Sequence, residues 1–378
     1  MKLELIATAT FGLEAVCRRE IEALGFKITK GEDGRVTYIA NEAGIVRSNL
    51  WLRCADRVLL KMGEFPVLAF EDLFQGMKAI PWETLIHEDG NFIVSATSVK
   101  SKLSSVPACQ SVAEKALIER LSETYGEQRF SKSGAVFDIK LRILKDVCTV
   151  TVDTSGAGLH KRGYRSASVE APIKETLAAA LVSLSFWKPG RLLADPFCGS
   201  GTIAIEAALI GRNMAPGLNR SFAAENWDFI PKEIWKRERA DAYKKIDLSK
   251  EIRIEASDIS KKAISAAKEN AENAGVIDCI NFAVKSFSSF AAKEKGGIIV
   301  CNPPYGERIG EKKQIESVYR ELKLFFDENP SWSLFLITSD KNFEKDAMGR
   351  LADRRRKLYN GRIETTYYQY HGRINKDD

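Results

Sequence analysis

The stretch that decides the fold runs from residue 191 to residue 202 and reads Arg-Leu-Leu-Ala-Asp-Pro-Phe-Cys-Gly-Ser-Gly-Thr. Its apolar start predicts a buried strand that ends at Asp195, and Gly199 and Gly201 predict a sharp turn that a ligand can approach closely. The apolar residues 203–210, which stop at Gly211, predict a helix. Strand, glycine turn and helix in this order form the first unit of a doubly wound α/β sheet.

The same stretch indicates which ligand the turn binds. A dinucleotide site would show G-x-G-x-x-G, but Ile203-Ala204 stands around the position of the third glycine. An acidic residue at the strand end suits a cationic ligand, such as the amino or sulfonium group of S-adenosylmethionine. We therefore predict S-adenosylmethionine as the cofactor. The predicted binding residues of this stretch are Asp195, Phe197, Gly199, Gly201 and Thr202.

A second motif, Asn302-Pro303-Pro304-Tyr305, follows the apolar residues 297–301. The Asn302 side-chain oxygen and the Pro303 carbonyl can accept hydrogens from a flat exocyclic amine. Both prolines fix the backbone in advance, and Tyr305 offers a face on which an extruded base can stack. A proline-rich loop after a core strand would explain these four residues without any function. Beside the glycine turn, however, the motif predicts catalysis by Asn302, Pro303, Pro304 and Tyr305.

Further cofactor residues are predicted where the next strands end. Asp258 follows the strand predicted at 252–257 and can accept both ribose hydroxyls, although an Asp that caps the next helix would look the same. Ile259 is adjacent to it, and Ser286 follows the strand predicted at 280–284. Cys198 and Cys301 are interpreted as packing residues, so transfer is expected to be direct, without a covalent enzyme intermediate.

The paired motifs resemble class I S-adenosylmethionine-dependent methyltransferases that act on exocyclic amines. More narrowly, the chain resembles the bacterial THUMP-domain RNA guanine-N2 methyltransferases, which include large-subunit ribosomal RNA enzymes and tRNA relatives. Residues 159–165 (LHKRGYR) and 215–220 (APGLNR) extend the resemblance over nearly the whole chain. The family usually has an Asp near the adenine amine, whereas this chain has Val284-Lys285-Ser286, which leaves Ser286 one hydrogen bond to offer.

The resemblance implies three domains and an RNA partner. It implies a ferredoxin-like domain at 1–60, an RNA-binding THUMP domain at 61–160 and the methyltransferase domain at 166–378. Its substrate would be the N2 amine of a guanine in structured RNA, 23S rRNA first and tRNA as the alternative. The residues expected to contact RNA are Lys161, Arg162, Arg165 and Arg308. A solvated linker would also explain the first three, and an ion pair with Glu307 would also explain Arg308.

Composition is compatible with an RNA-binding enzyme of the cytoplasm but does not single one out. The 378 residues carry a net charge of +6, which favours a polyanionic partner. No run approaches the ~18 apolar residues of a membrane span, and Glu4 interrupts the first apolar stretch, so neither a membrane helix nor a signal peptide is expected. The seven cysteines form no C-x-x-C and only three histidines are present, so no metal site is predicted.

The patterns also predict individual elements. The first part is α+β, with a capping box at residues 111–114 opening a helix that ends at Gly126, and a hairpin turning at Lys145-Asp146. The catalytic part is a mostly parallel seven-stranded sheet, closed by an antiparallel hairpin with a type I′ turn at Asn360-Gly361. The basic, aromatic stretch 212–250 is interpreted as an insertion over the active site.

Three other functions stay open. An adenine-N6 methyltransferase acting on RNA or DNA would use the same Asn-Pro-Pro-Tyr turn, and only the N-terminal region argues against it. An oxidoreductase is disfavoured by the missing third glycine and by the terminal hairpin. A non-catalytic RNA-binding protein would be expected to have lost residues 195–202 or 302–305, and both stretches are intact.

Overall fold

The computed structural model of the chain describes residues 1–127, 130–166, 172–304 and 312–373. These residues form two compact units. The first unit comprises Met1–Ala9, Arg18–Leu159 and Ser221–Asp241, and the second comprises Thr10–Cys17, His160–Arg220 and Ala242–Asp378. Among the described residues, no helix is both long and apolar enough to pass through a bilayer.

The first unit is built on one mixed sheet with the strand order β2-β3-β1-β4-β7-β6-β5. Its elements, with α1 continuing from the second unit, are β1 (Leu3–Ala9), α1 (Glu14–Ala23), β2 (Lys27–Glu32), β3 (Arg35–Ala40), α2 (Glu42–Trp51), β4 (Ala55–Pro66), α3 (Phe70–Lys78), β5 (Asn91–Val99), α4 (Val106–Tyr125), β6 (Val136–Leu144) and β7 (Val147–Asp153). Strand β4 pairs with β1 on one side and with β7 on the other. The domain boundary predicted at residue 60 therefore falls inside a strand that both N-terminal regions share.

Two local predictions in this unit have different outcomes. The hairpin β6–β7 turns at Lys145 and Asp146, which both have positive φ (51° and 62°), as predicted. Helix α4 ends at Gly126 as predicted, but it begins at Val106 rather than at the capping box of residues 111–114. The reason is Pro107, which lies in the first turn, where proline needs no hydrogen-bonding partner and already has a helical φ.

The middle of the stretch 212–250 belongs to the first unit. The Trp227 side chain is 1% exposed, and its ring stacks on Phe137 with centroids 5.1 Å apart. Glu238 accepts two hydrogen bonds from the Arg47 guanidinium, at 3.0 and 3.1 Å. Residues 221–241 therefore pack as part of the first unit, and the insertion over the active site that we predict for this stretch stays a prediction.

The second unit contains a sheet with the order β10-β9-β8-β11-β12-β14-β13. Its elements, with α7 continuing from the first unit, are α5 (Glu175–Leu184), β8 (Leu193–Asp195), α6 (Thr202–Gly211), α7 (Lys232–Lys244), β9 (Ile254–Asp258), α8 (Lys261–Asn273), β10 (Ile280–Val284), β11 (Ile298–Cys301), α9 (Lys312–Glu328), β12 (Ser333–Thr338), β13 (Arg354–Asn360) and β14 (Ile363–Tyr370). Strands β10, β9, β8, β11 and β12 are parallel, and β14 and β13 are antiparallel. The predicted mostly parallel sheet with a terminal antiparallel hairpin is confirmed.

The core and the terminal hairpin refine this picture. The apolar stripe of α9 packs in the aromatic core beside β11 and β12, as its periodicity predicts. In the hairpin, Asn360 pairs with Ile363, so the two loop residues are Gly361 and Arg362. Only Gly361 has positive φ (64°), whereas a type I′ turn needs two such residues. The predicted type I′ turn is therefore wrong, and the turn lies one residue further along the chain than predicted.

Candidate cofactor and catalytic site

A cavity of about 630 Å³ lies in the second unit at the carboxyl ends of its parallel strands. The strand order reverses at β8 and β11, and ligands of open α/β sheets bind at such a switch point. The volume lies within the range of small-molecule sites. The lining includes predicted residues from four separate segments, namely Asp195, Phe197, Gly199, Thr202, Asp258, Ile259, Ser286, Asn302 and Pro304.

The two glycines of the turn have different positions. Gly199 lines the cavity with φ near 51°. Gly201 does not line it, although we predicted it as a cofactor-binding residue. At φ near 81°, a Cβ on Gly201 would lie 3.0 Å from Ala267 Cβ, so glycine lets the start of α6 pack closely on α8. Gly201 therefore allows the close packing of the turn on α8 without lining the cavity.

Asp195 is a carboxyl group buried in the wall of the cavity. The residue is 1% exposed, and its Oδ1 accepts a hydrogen bond from the Phe197 N–H at 3.3 Å. Its buried Oδ2 receives no hydrogen bond from any residue that the structure describes. Burial, with a smaller contribution from Asp258, raises the pKa of Asp195 to about 8. A buried carboxylate that lacks a partner is costly, so this oxygen fits a cationic ligand such as the amino group of S-adenosylmethionine.

Asp258 fixes the loop that follows β9 against the glycine turn. Its Oδ2 accepts a hydrogen bond from the Gly199 N–H at 3.0 Å, and its Oδ1 accepts one from the Ser260 N–H at 2.9 Å. Ser260, not Asp258, caps helix α8, because its hydroxyl accepts from the Ala263 N–H. Each carboxylate oxygen of Asp258 keeps a second lone pair, which leaves room for the predicted ribose hydroxyls.

Apolar and hydroxyl groups form the next part of the wall. Ile259 is 76% exposed although it lines the cavity, so an apolar surface is available to a flat base. Phe197 stacks on Phe287 with centroids 5.7 Å apart. The Ser286 hydroxyl lies 2.6 Å from that of Ser288 and shares a hydrogen with it. Its oxygen also lies 3.5 Å from the Ser289 hydroxyl, and the cofactor contact expected of Ser286 stays a prediction.

The predicted catalytic turn enters the same cavity. All four residues of β11 are buried, Asn302 and Pro304 line the cavity, and Pro303 is buried behind them. Tyr305 lies outside the described residues, and so does Arg308 of the predicted RNA contacts. The order of strands therefore brings the amide of Asn302 to the cavity that holds Asp195.

The two cysteines beside the site behave as packing residues. Cys301 and Cys198 are buried, and burial raises the pKa of both thiols well above its usual range. Since the thiolate is the nucleophilic form, neither side chain is prepared to form a covalent bond with substrate.

The basic residues before the catalytic part lie in different environments. Lys161 is exposed, as an RNA contact requires. Arg162 is only 3% exposed and pairs with the fully buried Glu206, 3.4 Å away. Arg165 donates its hydrogen bonds to groups inside the unit, among them Glu175 at 2.8 Å. The predicted RNA contacts of Arg162 and Arg165 are therefore revised, because buried carboxylates draw both guanidiniums inward.

Several wall residues were missed by sequence reasoning. Pro172 and Ile173 precede α5, while Ile315, Val318 and Glu321 belong to α9. The stripe on α9 predicts only a core face, and no local signal marks its cavity-lining part. Within the described ranges, no group of three His, Cys, Asp or Glu side chains is arranged to hold a metal ion.

The glycine turn and the Asn-Pro-Pro turn meet at one switch point of the sheet. Together with the strand order, they define a class I S-adenosylmethionine-dependent methyltransferase. Comparison with known families identifies the branch. The chain belongs to the family described as the RMKL-like methyltransferase domain, which matches residues 162–369. An RlmL ferredoxin-like domain matches residues 4–59, and a THUMP domain matches residues 69–153. The family resemblance drawn from the motifs is thereby confirmed.

Two curated relatives are informative. YpsC of Bacillus subtilis strain 168, named only provisionally as an RNA methyltransferase, is 47% identical over 375 residues, which cover 99% of this chain and 97% of YpsC. The ribosomal RNA large subunit methyltransferase K/L of Psychromonas ingrahamii is 34% identical over 367 residues, or 95% of this chain. This chain spans 49% of that protein, about half its length.

Two solved structures cover nearly the whole chain. SMU.472, provisionally a methyltransferase and crystallised with S-adenosylhomocysteine, is 40% identical with a TM-score of 0.92 and 99% coverage of both chains. A protein from Listeria monocytogenes, described as a predicted N6-adenine-specific DNA methylase, is 45% identical with a TM-score of 0.94, covering 99% of this chain and 97% of that one. The cofactor prediction agrees with the first of these structures.

Proposed function

We propose that this protein transfers a methyl group from S-adenosylmethionine to the exocyclic N2 amine of a guanine in structured RNA, with 23S rRNA as the substrate, in the cytoplasm. One observation carries the proposal: Asn302 of the Asn-Pro-Pro turn lines the same cavity as Asp195 and Asp258. A carboxylate suited to the cationic end of the cofactor, a carboxylate suited to its ribose and an acceptor suited to an aromatic amine thus share one site.

The residues of the turn act by positioning. The Asn302 side-chain oxygen and the Pro303 carbonyl accept hydrogens from the amine, which directs the nitrogen lone pair away from the ring. Pro303 and Pro304 hold φ near −65°, so these acceptors are in place before the base arrives. When bound, the cofactor supplies a methyl group activated by its sulfonium. Orientation and exclusion of water are therefore the main tasks left to the protein.

RNA as the substrate is supported by the N-terminal half and by the relatives. A THUMP domain matches residues 69–153, and the two curated relatives carry RNA methyltransferase names. The specificity for guanine N2 follows from the family resemblance of the motifs. The domain limits 1–60, 61–160 and 166–378 stay predictions, as do the catalytic role of Tyr305 and the RNA contacts of Lys161 and Arg308.

An adenine-N6 activity is the second candidate, because the Listeria monocytogenes protein carries that name and the turn chemistry would be the same. Nucleoside mass spectrometry separates the two. RNA and DNA from a strain lacking this protein should be compared with a strain complemented by the intact chain and one complemented by Asn302→Ala. Loss of N2-methylguanosine from 23S rRNA, restored only by the intact chain, is expected. Loss of N2-methylguanosine from tRNA instead would make tRNA the substrate. Loss of N6-methyladenine would refute the guanine assignment.

A further inference from the structure

The Arg165 guanidinium donates four hydrogen bonds that have no role in the proposed methyl transfer. Its Nε donates to Glu175 Oε1 at 2.8 Å, and its Nη2 donates to the Ile173 carbonyl and to Thr202 Oγ1, each at 3.0 Å. Its Nη1 donates to Ser200 Oγ at 3.4 Å. The Arg165 side chain is 18% exposed and that of Glu175 is 7% exposed, so water competes little for these groups.

Three of these four partners are walls of the cofactor cavity. Ile173 lines one part of it, just before α5, while Ser200 and Thr202 line another part at the end of the glycine turn. Arg165 itself does not line the cavity. A guanidinium is planar and rigid, so one group bonded to both walls fixes the distance between them.

The residue after Arg165 is also connected to the glycine turn, through the Asn270 side chain. The Asn270 side chain donates to the Ser200 carbonyl at 3.1 Å and accepts from the Ser166 N–H at 3.2 Å. The chain on the carboxyl side of Arg165 is thus tied to the glycine turn a second time. Through its Nη2, Arg165 additionally joins the Ile173 carbonyl to Thr202 of the turn.

We propose that Arg165 is a positioning residue for S-adenosylmethionine, which sets the separation of the Ile173 wall from the Ser200–Thr202 wall. Its charge is held by Glu175, so the guanidinium is directed before the cofactor arrives. The inference concerns the cofactor site alone and does not depend on which RNA or base is methylated.

The test is calorimetric titration of the full-length protein with S-adenosylhomocysteine. Arg165→Lys keeps the charge, but its single nitrogen lies one bond short of the Nη2 position and cannot replace the planar group that also bonds Glu175 and Ser200, so we expect Kd to rise about tenfold. The matched control is Arg212→Lys. The Arg212 side chain is similarly buried (14% exposed) and pairs with Asp278, and Arg212 is absent from the cavity wall. This control should lower the melting temperature and leave Kd unchanged.

A second variant covers the case in which Arg165→Lys does not fold. Glu175→Gln preserves shape and lies outside the cavity wall, yet it removes the charge that directs Arg165, so Kd should rise about threefold. The double variant should bind no more weakly than Arg165→Lys alone, because both changes act through the same guanidinium.

The opposing outcomes are distinct. A folded Arg165→Lys protein with an unchanged Kd would overturn the proposal, and so would strictly additive effects of the two changes. Filter binding to total ribosomal RNA gives a further check, because weakened RNA binding with intact cofactor affinity would make Arg165 an RNA contact instead. Since no acceptor base is needed in the titration, failure of the guanine assignment would not affect this result.

Discussion

Cofactor binding should depend on pH through Asp195. The pKa of this buried carboxyl is raised to about 8, so most of the unliganded protein at neutral pH carries it protonated. A cationic ligand needs the carboxylate, and the apparent Kd is the intrinsic value divided by the ionised fraction. That fraction is about 1% at pH 6 and about 24% at pH 7.5, so affinity should rise about twentyfold over this interval.

The assay is calorimetry with S-adenosylhomocysteine at several pH values, in two buffers of different ionisation enthalpy. Near pH 6.5 about one proton should be released for each ligand bound, since binding converts nearly every Asp195 carboxyl to its carboxylate. Measurements stay at or below pH 7.5, so that the α-amino group of the ligand itself keeps its proton throughout.

Asp195→Asn is the matched control. It keeps the shape and the Oδ1 acceptor but cannot ionise, so its binding should be weaker and nearly independent of pH. The reasoning is refuted if the intact protein binds equally well at pH 6 and pH 7.5 without proton release. It is also refuted if Asp195→Asn keeps the pH slope of the intact protein.

The remaining predictions address stability, cofactor choice, turnover and RNA. Because the folded pKa of Asp195 lies above its ordinary 3.8, the unliganded protein should lose stability relative to Asp195→Asn as pH rises from about 4 to 8, measured by thermal melts. Asp258→Ala should raise the Kd for S-adenosylmethionine by about 10- to 150-fold in calorimetry, and NAD should bind far more weakly to the intact protein. Asn302→Ala should lower turnover by about 10²–10³ with cofactor affinity kept, so near-normal turnover would contradict the proposed mechanism. Lys161→Ala should reduce the salt dependence of RNA binding by about one unit of slope, and an unchanged slope would remove Lys161 from the interface.

The parts of the site that could be predicted carry their signals in neighbouring residues. A strand, an acidic end and two glycines stand together around Asp195, and the Asn302 turn directly follows its strand. Each motif could be assigned to the carboxyl end of a parallel strand, and the sheet order then brings the two into one cavity. Local chemistry and the topological rule were sufficient for this part.

The environments of Arg162 and Arg165 could not be predicted from their own surroundings. A run of basic residues next to a glycine looks like an exposed nucleic-acid contact, and the carboxylates that bury it lie on two helices further along the chain. One signal was present. Glu206 lies within the apolar residues 203–210, and an acid there is costly unless a cation pairs with it. Assigning that cation to Arg162 still required the fold.

The first unit cannot finish folding when its own consecutive sequence has been made. Its sheet is complete at Asp153, yet Trp227, which stacks on Phe137, belongs to a segment that ends at residue 241. From residue 159 to residue 241 the ribosome adds 82 residues, which takes about 4–16 s at bacterial and eukaryotic elongation rates. During that interval the Phe137 ring of β6 has no Trp227 indole stacked on it. We therefore expect a nascent chain stopped before residue 221 to be more sensitive to protease than one stopped after residue 241.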